Sequence, residues 1–184
     1  MKKISSLLFL TLFLAACTWN NGVPNVEVNL KEELSPEIKE DYSIFYLGYG
    51  SNMNIENMDS RCGQDNFVDL GKVILFDYEF YFYDRGYANV RPVPDKYVEG
   101  VLYKINEQCL AGLDRAEGYP NVYQRGEVSL NYKDDIIKAE VYLVIGDNTR
   151  SRPSDSYYDT VIQGAREHNL SAAYLDYIDF MAGR

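Results

Sequence analysis

The sequence Tyr-Leu-Gly-Tyr-Gly-Ser-Asn-Met at residues 46–53 runs from an apolar segment into a turn that contains glycine. The apolar half is typical of a β-strand, and glycine lets a backbone adopt positive φ or come close to a ligand. Ser51, Asn52 and Asn54 can then begin a helix whose free amide groups bind carboxylate or phosphate oxygens. Because such junctions are also common with a purely structural role, the turn needs a second feature before it indicates a site.

A second feature is the sequence Leu-Asp-Arg-Ala-Glu-Gly-Tyr-Pro at residues 113–120. Asn106 is a suitable N-cap for a short helix that Gly118 ends, which places Asp114 and Glu117 near its C-terminus. The helix dipole disfavours negative charge there, so the pKa of such a carboxyl is expected to rise, and burial under Tyr119 or Tyr123 would raise it further. A glutamate with a raised pKa can serve as a general acid or base, although a solvated loop of an acidic protein has the same composition.

The order of the remaining elements predicts an α+β domain. Two helices with apolar residues at helical spacing follow Ser154 and Ser171 at the end of the chain. Strands come before them, and this order favours a mixed or antiparallel sheet, possibly closed into a small β-barrel with flanking helices. Five or six strands are expected, at residues 43–49, 67–83 as one bent strand or two, 97–105, 122–132 and 136–145.

The N-terminus has the features of an export signal. Residues 1–16 combine a lysine pair with an apolar stretch too short to span a bilayer. The segment that ends at Cys17 resembles a bacterial lipobox, which implies cleavage before Cys17 and lipidation of its sulfur; an ordinary secretory signal is the alternative. Residues 17–41 are then a lipidated tether and residues 42–184 the catalytic domain. The predicted location is the cell envelope, at the outer membrane if the cell is Gram-negative, facing the periplasm or the exterior.

Composition narrows the range of partners. A formal net charge of −10 repels phosphate backbones, so we expect no nucleic acid partner.

Cys62 and Cys109 can form one disulfide or remain two buried thiols. His168 is the single histidine, and with no cysteine pair at ligand spacing we expect no metal site. His168 is interpreted as a surface residue within a helix, which argues against a Ser-His-Asp triad. The oligomeric state stays open.

These segments together resemble one enzyme family. Residues 46–53 resemble the Tyr-Gly-Ser-Asn signature of the γ-glutamylcyclotransferases, and residues 113–118 resemble the segment that carries the catalytic glutamate of that family. Residues 98–103 are similar to the strand before it, and residues 153–174 to the C-terminal helices. The resemblance covers nearly all of residues 42–184 in the expected order.

The resemblance implies a γ-glutamylcyclotransferase-like fold and a reaction without a cofactor. In that reaction the α-amine of a small γ-glutamyl substrate attacks its own γ-amide and gives 5-oxoproline and a free amino acid or amine. Glu117 matches the general acid/base, Tyr123 matches a pocket residue, and the turn that grips the γ-glutamyl group matches Tyr49, Gly50, Ser51 and Asn52. Two alternatives are a non-catalytic lipoprotein that binds γ-glutamyl groups or peptides, and a γ-glutamylamine cyclotransferase.

Overall fold

The computed structural model describes residues 42–146 and 149–184, in which a five-stranded sheet is covered by four helices. The strands are β1 (Ile44–Gly48), β2 (Phe67–Tyr83), β3 (Tyr87–Ile105), β4 (Gln124–Tyr132) and β5 (Asp135–Leu143). The helices are α1 (Ile55–Cys62), α2 (Glu107–Glu117), α3 (Asp155–Glu167) and α4 (Ala172–Ala182). The α+β class predicted from the sequence is confirmed. The predicted signal, Cys17 and the tether lie outside the described residues.

The sheet is mixed and open, with the strand order β2-β3-β1-β5-β4. The central strand β1 runs antiparallel to β3 and parallel to β5. Strand β2 pairs with β3, and β4 pairs with β5, so among the described residues no ladder joins the two edge strands. The word barrel therefore describes this sheet only loosely, because the ring of hydrogen bonds is not completed between β2 and β4.

The long hairpin of β2 and β3 differs from the sequence-based prediction. Strand β3 begins at Tyr87, ten residues before the start predicted from the sequence. In the sequence, Pro92 and Pro94 make the first half of β3 look unlike a strand. Proline has no N–H to donate, so it is not expected in a strand that is paired on both sides. Here the first half pairs with β2, while β1 pairs only with residues 101–105, so the prolines lie on an edge where they are tolerated.

The helices begin where the sequence predicts. The side chains of Asn54, Asn106, Ser154 and Ser171 each accept a backbone N–H in the first turn of α1, α2, α3 and α4. The predicted inner face of α3 is buried, and α4 buries Tyr174 and Ile178 against the sheet. Within the described ranges no helix is long and apolar enough to cross a membrane. Those ranges also contain no group of three or more His, Cys, Asp or Glu side chains placed to hold a metal ion.

A disulfide joins Cys62 to Cys109, which decides between the two alternatives that the sequence left open. Cys62 is the last residue of α1, and Cys109 lies in the first turn of α2. A bridge of this kind typically stabilises a fold by about 2–4 kcal/mol. Its consequence for function is positional, because it holds together the two helices that carry Arg61 and Glu117.

The prediction for His168 is wrong. The residue is the C-cap of α3, and its side chain is only 6% exposed. Its Nε2 lies 2.9 Å from Asp69 Oδ2 on β2, and its Nδ1 lies 2.9 Å from the Gly164 carbonyl. Burial opposes the charged imidazole, but these bonds and the charge of Asp69 outweigh it and raise the pKa of His168. Since the sequence does not reveal the contact with Asp69, the histidine looked like a surface residue.

Candidate active site

The glycine turn after β1 is fixed by close packing. Tyr49 and Gly50 lead into a single 3-10 turn at Ser51–Met53, closed by a 3.0 Å bond from Met53 N–H to the Gly50 carbonyl. A Cβ added at Gly50 would lie 2.8 Å from Ala88 Cβ and 3.3 Å from the Tyr157 hydroxyl. The φ of Gly50 is −117°, so glycine is required here for close approach and not for a left-handed conformation.

Glu117 is the last residue of α2, and its side chain turns inward to the glycine turn. Gly118 follows in the left-handed conformation and donates its N–H to the Asp114 carbonyl, which ends the helix. The Glu117 side chain is 15% exposed. Its Oε1 accepts hydrogen bonds from Asn52 Nδ2 at 3.0 Å and from Arg61 Nη1 at 2.9 Å. Its Oε2 accepts no hydrogen bond from the described residues, which leaves that oxygen available to a ligand.

Burial is the main cause of a raised pKa at Glu117. Loss of water around the carboxyl group raises the pKa, while the charge of Arg61 and the hydrogen bonds from Asn52 and Arg61 lower it. Burial outweighs these opposing effects, so the pKa of Glu117 lies above its usual value of 4.5. The direction of this shift is the one that the sequence predicts, and burial, predicted there as an addition to the effect of the helix dipole, is the largest cause in the structure.

Arg61 is one of the site residues that the sequence does not single out. Its guanidinium group contacts Glu117 Oε1, donates to Asn52 Oδ1, and lies 3.4 Å from Ser51 Oγ through Nη2. It thereby joins the turn to the glutamate. In the sequence Arg61 looks like an ordinary favourable cation in the last turn of a helix. The one available signal is its neighbour Cys62, whose bridge to α2 fixes where the arginine points.

Five tyrosines form the walls of the cavity between the turn and Glu117. Tyr49 donates to the Tyr142 carbonyl, and Tyr123 donates to the Ala88 carbonyl at 2.7 Å. Because these acceptors belong to the backbone, the rings are held in fixed positions. Burial raises the pKa of Tyr49 and Tyr123, so both remain neutral donors. The cavity is lined by Tyr46, Tyr49, Gly50, Ser51, Asn52, Ala88, Glu117, Tyr123, Tyr142 and Tyr157.

The structure therefore brings all six residues singled out in the sequence into one cavity. Tyr46, Tyr142 and Tyr157 join them from β1, β5 and α3, elements whose arrangement the sequence could not reveal. The companion carboxylate Asp114 is not among the lining residues. It accepts a 2.6 Å bond from the Tyr142 hydroxyl and lies 3.5 Å from Arg125, so it supports a wall of the cavity.

The cavity encloses about 20 Å³ and adjoins an outer groove of about 630 Å³. Both spaces are lined by Ser51, Glu117, Tyr123 and Tyr157. Glu117 thus stands at the junction between a narrow, aromatic interior and a wider, polar exterior. The arrangement is that of an enzyme for a small molecule, in which one buried carboxyl group faces an amide-rich turn.

The family model for gamma-glutamyl cyclotransferase, AIG2-like, matches residues 46–160, and the chain belongs to this family. The two relatives described next are both named Gamma-glutamylcyclotransferase, which supports the conclusion that this chain is an enzyme of that kind.

Three comparisons illustrate the relationship. The chain is 28% identical to Gamma-glutamylcyclotransferase of Bos taurus over 143 residues, which is 72% of this chain and 75% of the relative. It is 25% identical to Gamma-glutamylcyclotransferase of Mus musculus over 146 residues, or 74% and 77% of the two chains. A solved structure named Gamma-glutamyl cyclotransferase has a TM-score of 0.67 at 24% identity and covers 74% of this chain and 86% of its own, a likeness of fold.

Proposed function

We propose that this enzyme cyclises a γ-glutamyl amino acid or peptide to 5-oxoproline and releases the amino acid or peptide, without a cofactor. The observation that carries the proposal is the position of Glu117, a buried carboxyl with a raised pKa that shares one cavity with the turn at residues 49–52. A substrate that touches both would have its amine next to a base and its carboxylate next to backbone amides.

Glu117 acts as the base and then as the acid. An α-amine has a pKa near 8 and is mostly protonated at neutral pH, so it must lose a proton before it attacks. Oε2 of Glu117 takes that proton, the amine nitrogen bonds to the γ-carbonyl carbon, and a tetrahedral intermediate forms. Collapse of the intermediate restores the carbonyl double bond and breaks the original C–N bond, while Glu117 returns its proton to the departing nitrogen. Glu117 then takes the second proton from the ring nitrogen, which leaves the 5-oxoproline nitrogen neutral, and passes it to the released amine, which departs as an ammonium group.

The remaining residues position the substrate. Because attacker and target belong to one molecule, holding it in ring-closing geometry can supply on the order of 7–11 kcal/mol of the barrier. Backbone amides near Gly50 and the Ser51 hydroxyl hold the anionic groups of the γ-glutamyl moiety, while Asn52, whose Nδ2 donates to both Tyr46 and Glu117, joins the turn to the base.

A binding function without turnover fits these residues less well. A site that only retained the γ-glutamyl group would use Glu117 as an anion that pairs with the α-ammonium group, and the burial that raises the pKa of Glu117 disfavours this ionised form. The direct test incubates the purified domain with γ-glutamyl amino acids, γ-glutamyl peptides and γ-glutamylamines and measures 5-oxoproline. Product from the first two groups supports the proposal; product from the amines alone would assign the enzyme to the γ-glutamylamine alternative, and no product from any compound would contradict catalysis.

Arg61→Met should move the acid limb of the pH profile of kcat/KM to higher pH. A base works in its ionised form, so activity falls as the pH drops through the pKa of Glu117. Arg61 lowers that pKa by its charge and its hydrogen bond, and its loss should therefore raise the pKa further. Arg166→Met, at an exposed position of α3, is the matched control and should keep the wild-type limb. An unmoved limb in Arg61→Met would exclude Glu117 as the titrating base.

We further propose that the protein is anchored to the cell envelope through lipidated Cys17, with residues 1–16 removed. The Cys62–Cys109 disulfide supports this location, because disulfides persist in oxidising compartments. Cys17→Ala should shift the protein from the membrane fraction to the soluble fraction and remove the mass of the lipid, as judged by fractionation and mass spectrometry. An equal membrane fraction for both proteins would contradict anchoring at this residue.

A further inference from the structure

We propose that Arg85 and Arg115 form a leaving-group subsite in the outer groove, which selects γ-glutamyl substrates whose released amine carries a carboxylate. This inference rests on the proposed function and names the substrate class within it. The two arginines would bind a carboxylate on the departing amino acid or peptide.

The position of Glu117 determines which part of the substrate enters the groove. Glu117 must reach the nitrogen of the departing amine to return a proton to it, so the scissile bond lies at the junction of the two spaces. The γ-glutamyl moiety lies on the side of the glycine turn. The rest of the molecule then extends outward into the groove, whose volume of about 630 Å³ is typical of ligand pockets and admits more than one residue.

The groove is basic in an acidic protein. Its lining contains Arg61, Arg85 and Arg115 and, among the described residues, the single carboxylate of Glu117. The whole chain has 28 acidic and 18 basic residues, so the charge balance of the groove is the reverse of that of the chain. Such a concentration of one sign attracts ligands of the opposite charge.

Two of the three arginines are uncommitted. Arg61 is already paired with Glu117. Arg85 and Arg115 are exposed and form no ion pair with any residue in the described ranges. A guanidinium group can donate two parallel hydrogen bonds to a carboxylate. Each of these side chains can therefore bind the carboxylate of a departing amino acid.

Both arginines are attached to rigid parts of the fold. Arg85 lies in the turn between β2 and β3. Its neighbour Asp84 is held by two hydrogen bonds to Thr149: the Asp84 carboxylate accepts from the Thr149 hydroxyl at 2.6 Å, and the Asp84 N–H donates to the Thr149 carbonyl at 2.9 Å. Gly86 packs against residues 152–153 so closely that an added Cβ would lie 2.4 Å from the Arg152 carbonyl oxygen. Arg115 lies in the last turn of α2, two residues before Glu117. Their backbones therefore keep a fixed relation to the base.

The test compares γ-L-glutamyl-L-alanine with its C-terminal amide, a pair of equal shape that differs by one charge. For the wild-type enzyme we expect kcat/KM to be about tenfold or more higher for the acid, with most of the difference in KM. In the double variant Arg85→Gln/Arg115→Gln the ratio should fall below about twofold. Arg166→Gln, outside the groove, should keep the wild-type ratio, and Arg85→Lys/Arg115→Lys should retain part of it because the charge remains.

A wild-type ratio near one, or a double variant that loses activity on both substrates while keeping the ratio, would overturn the subsite. The same preference is measured without turnover by calorimetry, with the acid and the amide bound to Glu117→Gln. Tighter binding of the acid that disappears when both arginines are replaced supports the subsite even if no 5-oxoproline is formed. Absence of product would in that case contradict the proposed function alone, while equal affinities would overturn the subsite.

Discussion

Glu117→Gln is expected to lower kcat for 5-oxoproline formation by about 10³-fold or more while the domain keeps its fold. General acid–base catalysis contributes about 10²–10⁴-fold in enzymes, and here one carboxyl serves in both proton transfers. The amide has nearly the shape of the carboxyl and can still accept a hydrogen bond from Asn52 or Arg61 through its oxygen. The loss should therefore appear in turnover, with little change in the affinity for the substrate. Single-turnover measurements of 5-oxoproline and calorimetry with γ-L-glutamyl-L-alanine separate the two quantities.

Glu107→Gln is the matched control for this experiment. Glu107 is an exposed carboxylate in the first turn of the same helix, so its replacement removes the same charge from α2 without reaching the cavity. We expect kcat within about twofold of the wild-type value, because exposed charges contribute little. Comparable activity in Glu117→Gln and Glu107→Gln would show that Glu117 is not the base.

Gly50→Ala is expected to lower kcat/KM by about 10²-fold. The new Cβ would lie 2.8 Å from Ala88 Cβ, a separation that real side chains do not adopt, so the turn or β3 must shift. Ser51 and Asn52 follow directly and would shift with the turn relative to Glu117. A misplacement of about 1 Å between catalytic groups can reduce the rate by about 10²-fold. Steady-state kinetics with γ-L-glutamyl-L-alanine measure the loss.

A second substitution tests whether the clash is the cause. Gly50→Ala/Ala88→Gly removes the opposing methyl group and should recover at least about tenfold of the lost activity. Gly126→Ala on β4 is the control for adding a methyl group, since its Cβ would meet the Leu143 side chain at an ordinary 3.4 Å. Full activity in Gly50→Ala would mean that the turn is not a fixed part of the site.

The sequence predicts the elements of this fold better than their arrangement. Caps at Asn106, Ser154 and Ser171 are local signals, and the helices they begin were predicted correctly. The first half of β3 was missed because its prolines look like loop residues until the edge position of that half is known. Closure of the sheet depends on whether β2 and β4 form a hydrogen-bonded ladder, a pairing between distant parts of the chain that no local pattern encodes.

The site residues also fall into two groups, those with a local signal in the sequence and those without one. Glu117 and the turn at residues 49–52 could be singled out because each has an unusual local feature, a carboxylate at a helix end and a glycine turn after a strand. Arg61 and Tyr157 have ordinary local sequences, and they enter the site through the contact of α1 with α2 and the position of α3. The pKa of Glu117 shows why this matters, since burial raises it and Arg61 lowers it, and the contact with Arg61 is not visible in the residues around position 117.

The central claim is that one substrate molecule touches both Glu117 and the turn at residues 49–52. A crystal structure of the Glu117→Gln variant with bound γ-L-glutamyl-L-alanine tests it most directly. We expect the substrate amine nitrogen within about 2.6–3.2 Å of the side chain at position 117, with an anionic group of the γ-glutamyl moiety on backbone amides near Gly50. A γ-glutamyl group bound elsewhere, or bound with its amine turned away from position 117, would contradict the account.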